Sequence, residues 1–195
     1  MKKKDHLMLA SFILTLAGSS VLALHSAAFT AGCIEPDLNV FTYLRGSRKE
    51  KKFHGHNAGN CRAHLEKLLR KIEERGLTSG YDCFLLGVAV HYIADSFTAV
   101  HNTDILDVDV KTHLEYENRL HEELTRALSK PFIFEHDVLN TSLKDYVNDN
   151  HHVYSASAPS TKNDCSYIVK TCCAVTLGAI ILSQGVVSPL RYAAV

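Results

Sequence analysis

The chain has 195 residues, enough for one domain with a real core. Lysine plus arginine number 21 and aspartate plus glutamate also number 21. That balance excludes a broadly basic nucleic-acid surface and an acidic disordered chain, and only 10 glycines and 4 prolines exclude collagen-like and low-complexity classes.

The N-terminus opens with Lys2, Lys3 and Lys4, then an uncharged run from Leu7 to Leu24, then Ala27, Ala28 and Ala31. This is the grammar of a secretory signal peptide over residues 1–30, and the run is long enough for a marginal membrane span. A buried helical hairpin turning near Gly18, Ser19 and Ser20 fits the same residues. Cys33 after Thr30, Ala31 and Gly32 only weakly resembles a lipoprotein cleavage site. Residues 38–53 read as a loop, with Arg45, Gly46 and Ser47 as its turn. Arg48, Lys49, Lys51 and Lys52 make a short basic stretch, either solvated or a contact for an anionic headgroup.

Ala58 to Arg75 reads as an amphipathic helix with Leu65, Leu68, Leu69 and Ile72 as its apolar stripe and Gly76 as its stop. Ser79 to Val100 is a second, more apolar helix, and Thr112 to Leu128 a third, ending before Pro131. Val138 to Val147 is a short fourth, residues 154–162 are a loop, and Ser166 to Leu182 is a last apolar helix. Lys170 within that last helix favours a core position over a membrane span. Strand patterns are nearly absent, so the expected fold is an all-α, single-domain helical bundle over residues 1–195. Six cysteines without CxxC pairs predict free thiols in a reducing compartment.

Twelve histidines are the outlying number in the composition. His91 and Asp95 stand at i and i+4 on the second helix, and His113 and Glu117 repeat that spacing on the third. His101 lies at the turn between them. Five nitrogen and oxygen donors on two neighbouring helices suit Zn²⁺ without a thiolate, and Asp95 is able to bridge two ions. Gly87, one turn before His91, leaves room for another element to approach. Other motifs fail: His121 and Glu122 lack the second histidine of HExxH, and there is no GxSxG elbow or P-loop. His136 and Asp137 read as structural, His151 and His152 as solvated, and His64 as a surface residue. His121 is either a surface residue or a support for the ligands.

The string Leu86-Gly87-Val88-Ala89-Val90-His91-Tyr92-Ile93-Ala94-Asp95 resembles the zinc-dependent phospholipase C family. Its continuation through His101 and Asn102 to His113-Leu114-Glu115-Tyr116-Glu117 does so too. The family is related in fold to the S1/P1 nucleases. The resemblance is densest over residues 85–120 and extends weakly to the N-terminus. It implies a helical bundle of the zinc phospholipase C and P1 nuclease type with two to three zinc ions. His91, Asp95 and a histidine before the Ala58 helix would hold the first ion, with His56 chosen and His54 its rival. His101, His113 and Glu117 would hold the second. Asp95 would bridge to a third together with His6. Asp37 matches the family's acidic residue beside the metal-bound water and is the catalytic candidate.

Secreted members use the free amine of an N-terminal tryptophan as a zinc ligand. This chain has no tryptophan, which leaves the third position to be rebuilt from other groups or left empty. A ligand at His6 also requires the first helix to stay attached. The expectation is therefore a cytoplasmic protein with residues 1–30 retained, the alternatives being a secreted or a membrane-anchored one. The implied function is phosphodiester hydrolysis, phospholipase C-like, with metal-bound hydroxide as nucleophile. Phospholipid or another phosphodiester would be the substrate, with peripheral membrane contact. The alternatives are a non-catalytic, metal-stabilised helical protein and a nuclease-like phosphoesterase on the same fold.

Overall fold

The computed structural model describes residues 1–48, 54–102, 109–134 and 136–185. Among these residues every regular element is helical, in eight α-helices and three short 3-10 turns. They are α1 (Lys3–Ala17), α2 (Val21–Leu24), α3 (Ser26–Leu38), α4 (Ala58–Arg75), α5 (Gly80–Ser96), α6 (Val110–Leu128), α7 (Leu143–Ser155) and α8 (Thr161–Ser183). The all-α expectation holds.

Local chemistry sets most of the boundaries. The side chains of Asn57, Ser79, Asp109, Ser142 and Ser160 accept hydrogen bonds from the first-turn amides of α4, α5, α6, α7 and α8. Each such cap is worth about 1 kcal/mol. Gly76 ends α4 with φ at 66°, a left-handed conformation that glycine adopts without strain. The predicted stripe of α4 is the buried one: Leu65, Leu68, Leu69 and Ile72 all face the core.

Helix α5 is the central rod. From Leu85 to Ser96 every residue is buried, which explains why it shows no amphipathic stripe. It packs most closely against α3, and two glycines permit the approach. A Cβ on Gly32 would lie 2.1 Å from the carbonyl oxygen of Phe84, and one on Gly87 would lie 2.2 Å from that of Phe29. The room foreseen at Gly87 is thus filled by the α3 backbone.

The apolar N-terminal run folds as α1 and α2, turning at Gly18 with φ at 56°. Leu9, Ala10, Ile13 and Leu22 join the main core. Cys33 is fully buried on α3. Helix α8 is long and apolar enough to cross a membrane, yet 61% of its most apolar 18-residue window is buried here. All six cysteines are buried and unpaired, as expected.

Several boundaries differ from the sequence reading. The second helix ends at Ser96, and Ala99–His101 forms a separate 3-10 turn. The expected helix over Val138 to Val147 is two elements, a 3-10 turn at His136–Asn140 and then α7. Ser142 caps α7 and so restarts the chain there. The loop read over 154–162 is shorter, since α7 reaches Ser155 and α8 starts at Thr161 behind the Ser160 cap. The loop at 38–53 contains a 3-10 turn at Val40–Leu44. Arg48 is exposed, while Lys49, Lys51 and Lys52 lie outside the described residues.

Candidate metal centre

One end of α5 gathers the donors. His91 and Asp95 are both fully buried there, one turn apart on the same face. The ring of His91 is fixed from behind. Its Nδ1 stands 2.9 Å from the carbonyl oxygen of Cys33 on α3. A carbonyl only accepts, so Nδ1 carries the proton and donates it. Nε2 is left as the lone-pair nitrogen that faces Asp95 at 3.2 Å.

Asp95 is the hub. Its Oδ1 lies 3.3 Å from His6 Nε2 of α1 and 2.9 Å from the Met1 amine. Its Oδ2 lies 3.3 Å from His56 Nδ1, 3.2 Å from His91 Nε2 and 3.5 Å from His101 Nδ1. His101 arrives on the 3-10 turn after α5. Its Nε2 is 3.5 Å from Glu117 of α6, and His113 Nε2 is 3.6 Å from the same Oε1.

His56 enters from the loop before α4. Gly55 makes this possible, because a Cβ there would lie 1.8 Å from the Thr42 carbonyl oxygen. The His56 ring stacks on Tyr43 with centroids 4.4 Å apart. Asp37, in the last turn of α3, points its Oδ1 toward His56 Nδ1 at 3.6 Å and His91 Nε2 at 3.8 Å.

Three groups result: His6, His91 and Asp95; Asp37, His56 and His91; His101, His113 and Glu117. Within each, the candidate ligand atoms lie within 4.8 Å of one another. Two ligands at ~2.1 Å from a tetrahedral ion stand about 3.4 Å apart, close to the separations of 3.2 to 3.6 Å around Asp95 and Glu117. The cluster also lacks internal satisfaction. Both ring nitrogens of His6 and Oδ2 of Asp95 are buried without a hydrogen-bond partner. Such orphaned lone pairs are expensive unless a cation serves them. The donor set therefore fits zinc on geometry and on hydrogen-bond accounting.

The charges agree. Burial alone would raise the Asp95 carboxyl, but the Met1 ammonium and His101 hold it well below the usual carboxylate range. Burial likewise opposes ionisation of Glu117, yet His101 and His113 keep it far below its ordinary value. Burial, with His91 close by, lowers His6 to about 3, so its ring is neutral and ready to ligate. Burial raises Asp37 above its ordinary value.

The eight residues chosen from the sequence all reach this cluster: His6, Asp37, His56, His91, Asp95, His101, His113 and Glu117. His54 instead lines the cleft outside the groups and is exposed. The Met1 amine was not foreseen. It lies 2.9 Å from His101 Nε2 and 3.2 Å from Glu117 Oε1 as well as against Asp95. Tying such an amine to tryptophan hid it, because a chain-end amine is independent of the side chain that follows. The His121 Nδ1 donates at 2.5 Å to Oδ1 of Asp5, the residue before His6 in the chain.

Two histidines depart from their expected surface settings. His151 sits on α7, half-buried, and its Nε2 donates to the Ser96 carbonyl at 3.1 Å. His64 is half-buried with its ring 5.6 Å from that of Tyr92, and burial lowers it to about 4.

Asp37, His56, His101, His113 and Glu117 line a cleft of roughly 500 Å³, while His6, His91 and Asp95 are buried and do not line it. Leu38, Tyr43, Val100 and Lys3 form part of its walls. Between the wall residues Leu38 and Tyr43 in the chain, Val40 and Phe41 are 72% and 76% exposed, and Leu44, Val110 and Leu114 are exposed too.

A family model described as zinc dependent phospholipase C matches residues 5–161. No curated protein matches the chain.

Proposed function

The chain belongs to the zinc-dependent phospholipase C family, and from that premise we propose that it is a zinc-dependent hydrolase of phosphodiesters whose substrate is a phospholipid. The observation that carries this reading is the convergence on Asp95 of donors from α1, α5, the His101 turn and the loop before α4.

His91, Asp95 and His56 would hold one zinc ion, and His101, His113 and Glu117 another. His6 and the second oxygen of Asp95 would hold a third, with the Met1 amine at hand. Zinc, when bound, lowers the pKa of water toward ~7 and neutralises phosphate oxygens. The chain's own residues do the rest. The cleft receives the phosphodiester, and Lys3 on its wall adds positive charge toward a phosphate. Asp37 faces the cleft beside His56 and His91, where it orients the attacking water or takes its proton. Cys33 fixes the His91 ring through its carbonyl, and His121 braces Asp5 next to His6.

The exposed apolar side chains of Val40 and Phe41, between the cleft-lining Leu38 and Tyr43 in the chain, support a lipid substrate over a nucleic acid. Acyl chains of a phospholipid need an apolar place beside the polar cleft, and Val40 and Phe41 offer one. We further propose that residues 1–30 are retained and that the protein is cytoplasmic. Removing them would delete His6 and the core residues Leu9 and Ile13, and six buried free thiols suit a reducing compartment.

The test is native mass spectrometry together with a phosphodiester assay. Protein holding two or three zinc ions, with residues 1–30 present, should cleave a chromogenic phosphodiester and phosphatidylcholine. Chelation should abolish both activities and zinc restore them. Zinc-loaded protein that turns over neither substrate would overturn the hydrolase reading and leave a metal-stabilised bundle.

A further inference from the structure

Asp164 is a buried carboxylate on the first turn of α8, outside the metal groups. Its exposure is 0%. Its Oδ2 accepts the backbone N–H of Ala99 at 2.9 Å and the hydroxyl of Tyr116 at 2.9 Å. Its Oδ1 accepts the hydroxyl of Tyr154 at 2.9 Å. Ala99 starts the 3-10 turn that ends at His101. Tyr116 immediately precedes Glu117 on α6, three residues after His113. Tyr154 belongs to α7, which carries none of the eight donors.

One oxygen therefore ties the turn bearing His101 to the helix bearing His113 and Glu117. Ala99, Val100 and Tyr116 add a small apolar cluster of their own around this tie. We propose that Asp164 is a positioning residue for the His101, His113 and Glu117 group, holding two separate elements in register for one ion. The proposal rests on the zinc reading above.

The physical reason is tolerance. Zinc–nitrogen and zinc–oxygen distances are useful within about 0.2 Å, while a three-residue turn has little rigidity of its own. Hydrogen bonds to a carboxylate are about twice as strong as neutral ones, and a dry setting strengthens them. Supporting partners of this kind typically change metal affinity by about 10- to 100-fold.

Two conservative variants separate positioning from plain stability. Tyr116→Phe and Tyr154→Phe each remove one hydroxyl bond to the same carboxylate. Only the first touches a helix that carries ligands. The experiment titrates zinc into each full-length protein against a competing chelator dye, with native mass spectrometry to count ions and circular dichroism to record melting. Tyr116→Phe should weaken one ion by about 10-fold and leave the others unchanged. Tyr154→Phe should lower the melting temperature to a similar degree while holding all ions as wild type does. Asp164→Ala should lose one ion outright.

Equal zinc affinity in the two tyrosine variants, or a uniform weakening of every ion in Tyr116→Phe, overturns the positioning role. Wild-type protein that binds no zinc overturns the zinc reading and this proposal with it, and is recognised because the unaltered chain itself fails.

Discussion

His91 donates its Nδ1 proton to the carbonyl oxygen of Cys33 across 2.9 Å, so the α3 backbone determines which nitrogen of the α5 histidine faces the metal groups. The link is possible only because α3 and α5 nearly touch. That contact depends in turn on Gly32 and Gly87.

Gly87→Ala should therefore act on stability and on metal binding together. The added methyl would stand 2.2 Å from the Phe29 carbonyl oxygen and 2.9 Å from the Cys33 amide nitrogen. Backbone cannot yield as a flexible side chain would, so the helices must separate. A loss of roughly 1 to 3 kcal/mol is expected, with weaker zinc binding as the Cys33 carbonyl withdraws. Thermal melting and a chelator competition measure both. Unchanged zinc affinity in a clearly destabilised variant would refute the link through His91.

His91→Ala and Glu117→Ala should remove ions from different groups. His91 belongs to the two groups nearest Asp95, whereas Glu117 belongs to the third. Each variant should cut phosphodiester hydrolysis by about 100-fold or more, since loss of mere supporting partners already costs 10- to 100-fold. Native masses should show fewer zinc ions in both. Full ion occupancy in either variant would remove that residue from the ligand set.

The exposed Val40 and Phe41 make a prediction about surfaces. Val40→Ser with Phe41→Ser should weaken binding to phosphatidylcholine vesicles by at least about 10-fold, given about 1.5 to 3 kcal/mol for each large side chain taken out of water. Hydrolysis of a water-soluble chromogenic diester should stay near wild type, because neither side chain is among the metal donors. Vesicle cosedimentation and the soluble assay measure the two arms separately. Equal losses in both would point to misfolding of the 3-10 turn instead.

Acid stability should depend on Asp82. Its carboxylate accepts from Ser79, Thr78 and Arg75 at the start of α5. Burial works against ionisation, but these donors outweigh it and lower the carboxyl to about 2. The unfolded value is ~3.9, so the folded state holds the proton less tightly. The stabilisation is therefore complete above about pH 4 and vanishes as pH falls toward 2, a span worth about 2 kcal/mol. The melting temperatures of wild type and Asp82→Asn should differ at pH 6 and converge near pH 2. A gap that persists undiminished at pH 2 would contradict this.

Much of this architecture was readable in the residues. Helix α4 begins and ends where expected because Asn57, the leucine stripe and Gly76 are all local signals. The pairs His91 and Asp95 on α5 and His113 and Glu117 on α6 were readable because helix geometry converts spacing four into a shared face, and His101 because it lies on the short connection between them. Other features were hidden for physical reasons. Asp164 looks like an ordinary first-turn acid of α8; its meaning comes from Ala99 and Tyr116, 65 and 48 residues away in the chain. His151 reads as solvated in a polar stretch, and only the tertiary structure brings its ring to the Ser96 carbonyl and Asn102 after α5.

The six thiols carry a last consequence. All of them are sealed in the interior, and burial lifts Cys61 to about 12 and Cys173 to about 12, far from the reactive thiolate. An alkylating label added to the native protein can then mark only molecules that have opened. Its rate of uptake, read peptide by peptide, becomes a built-in clock for which parts of the bundle breathe and how often. Cys33, behind His91, would report on the very wall against which the metal centre leans.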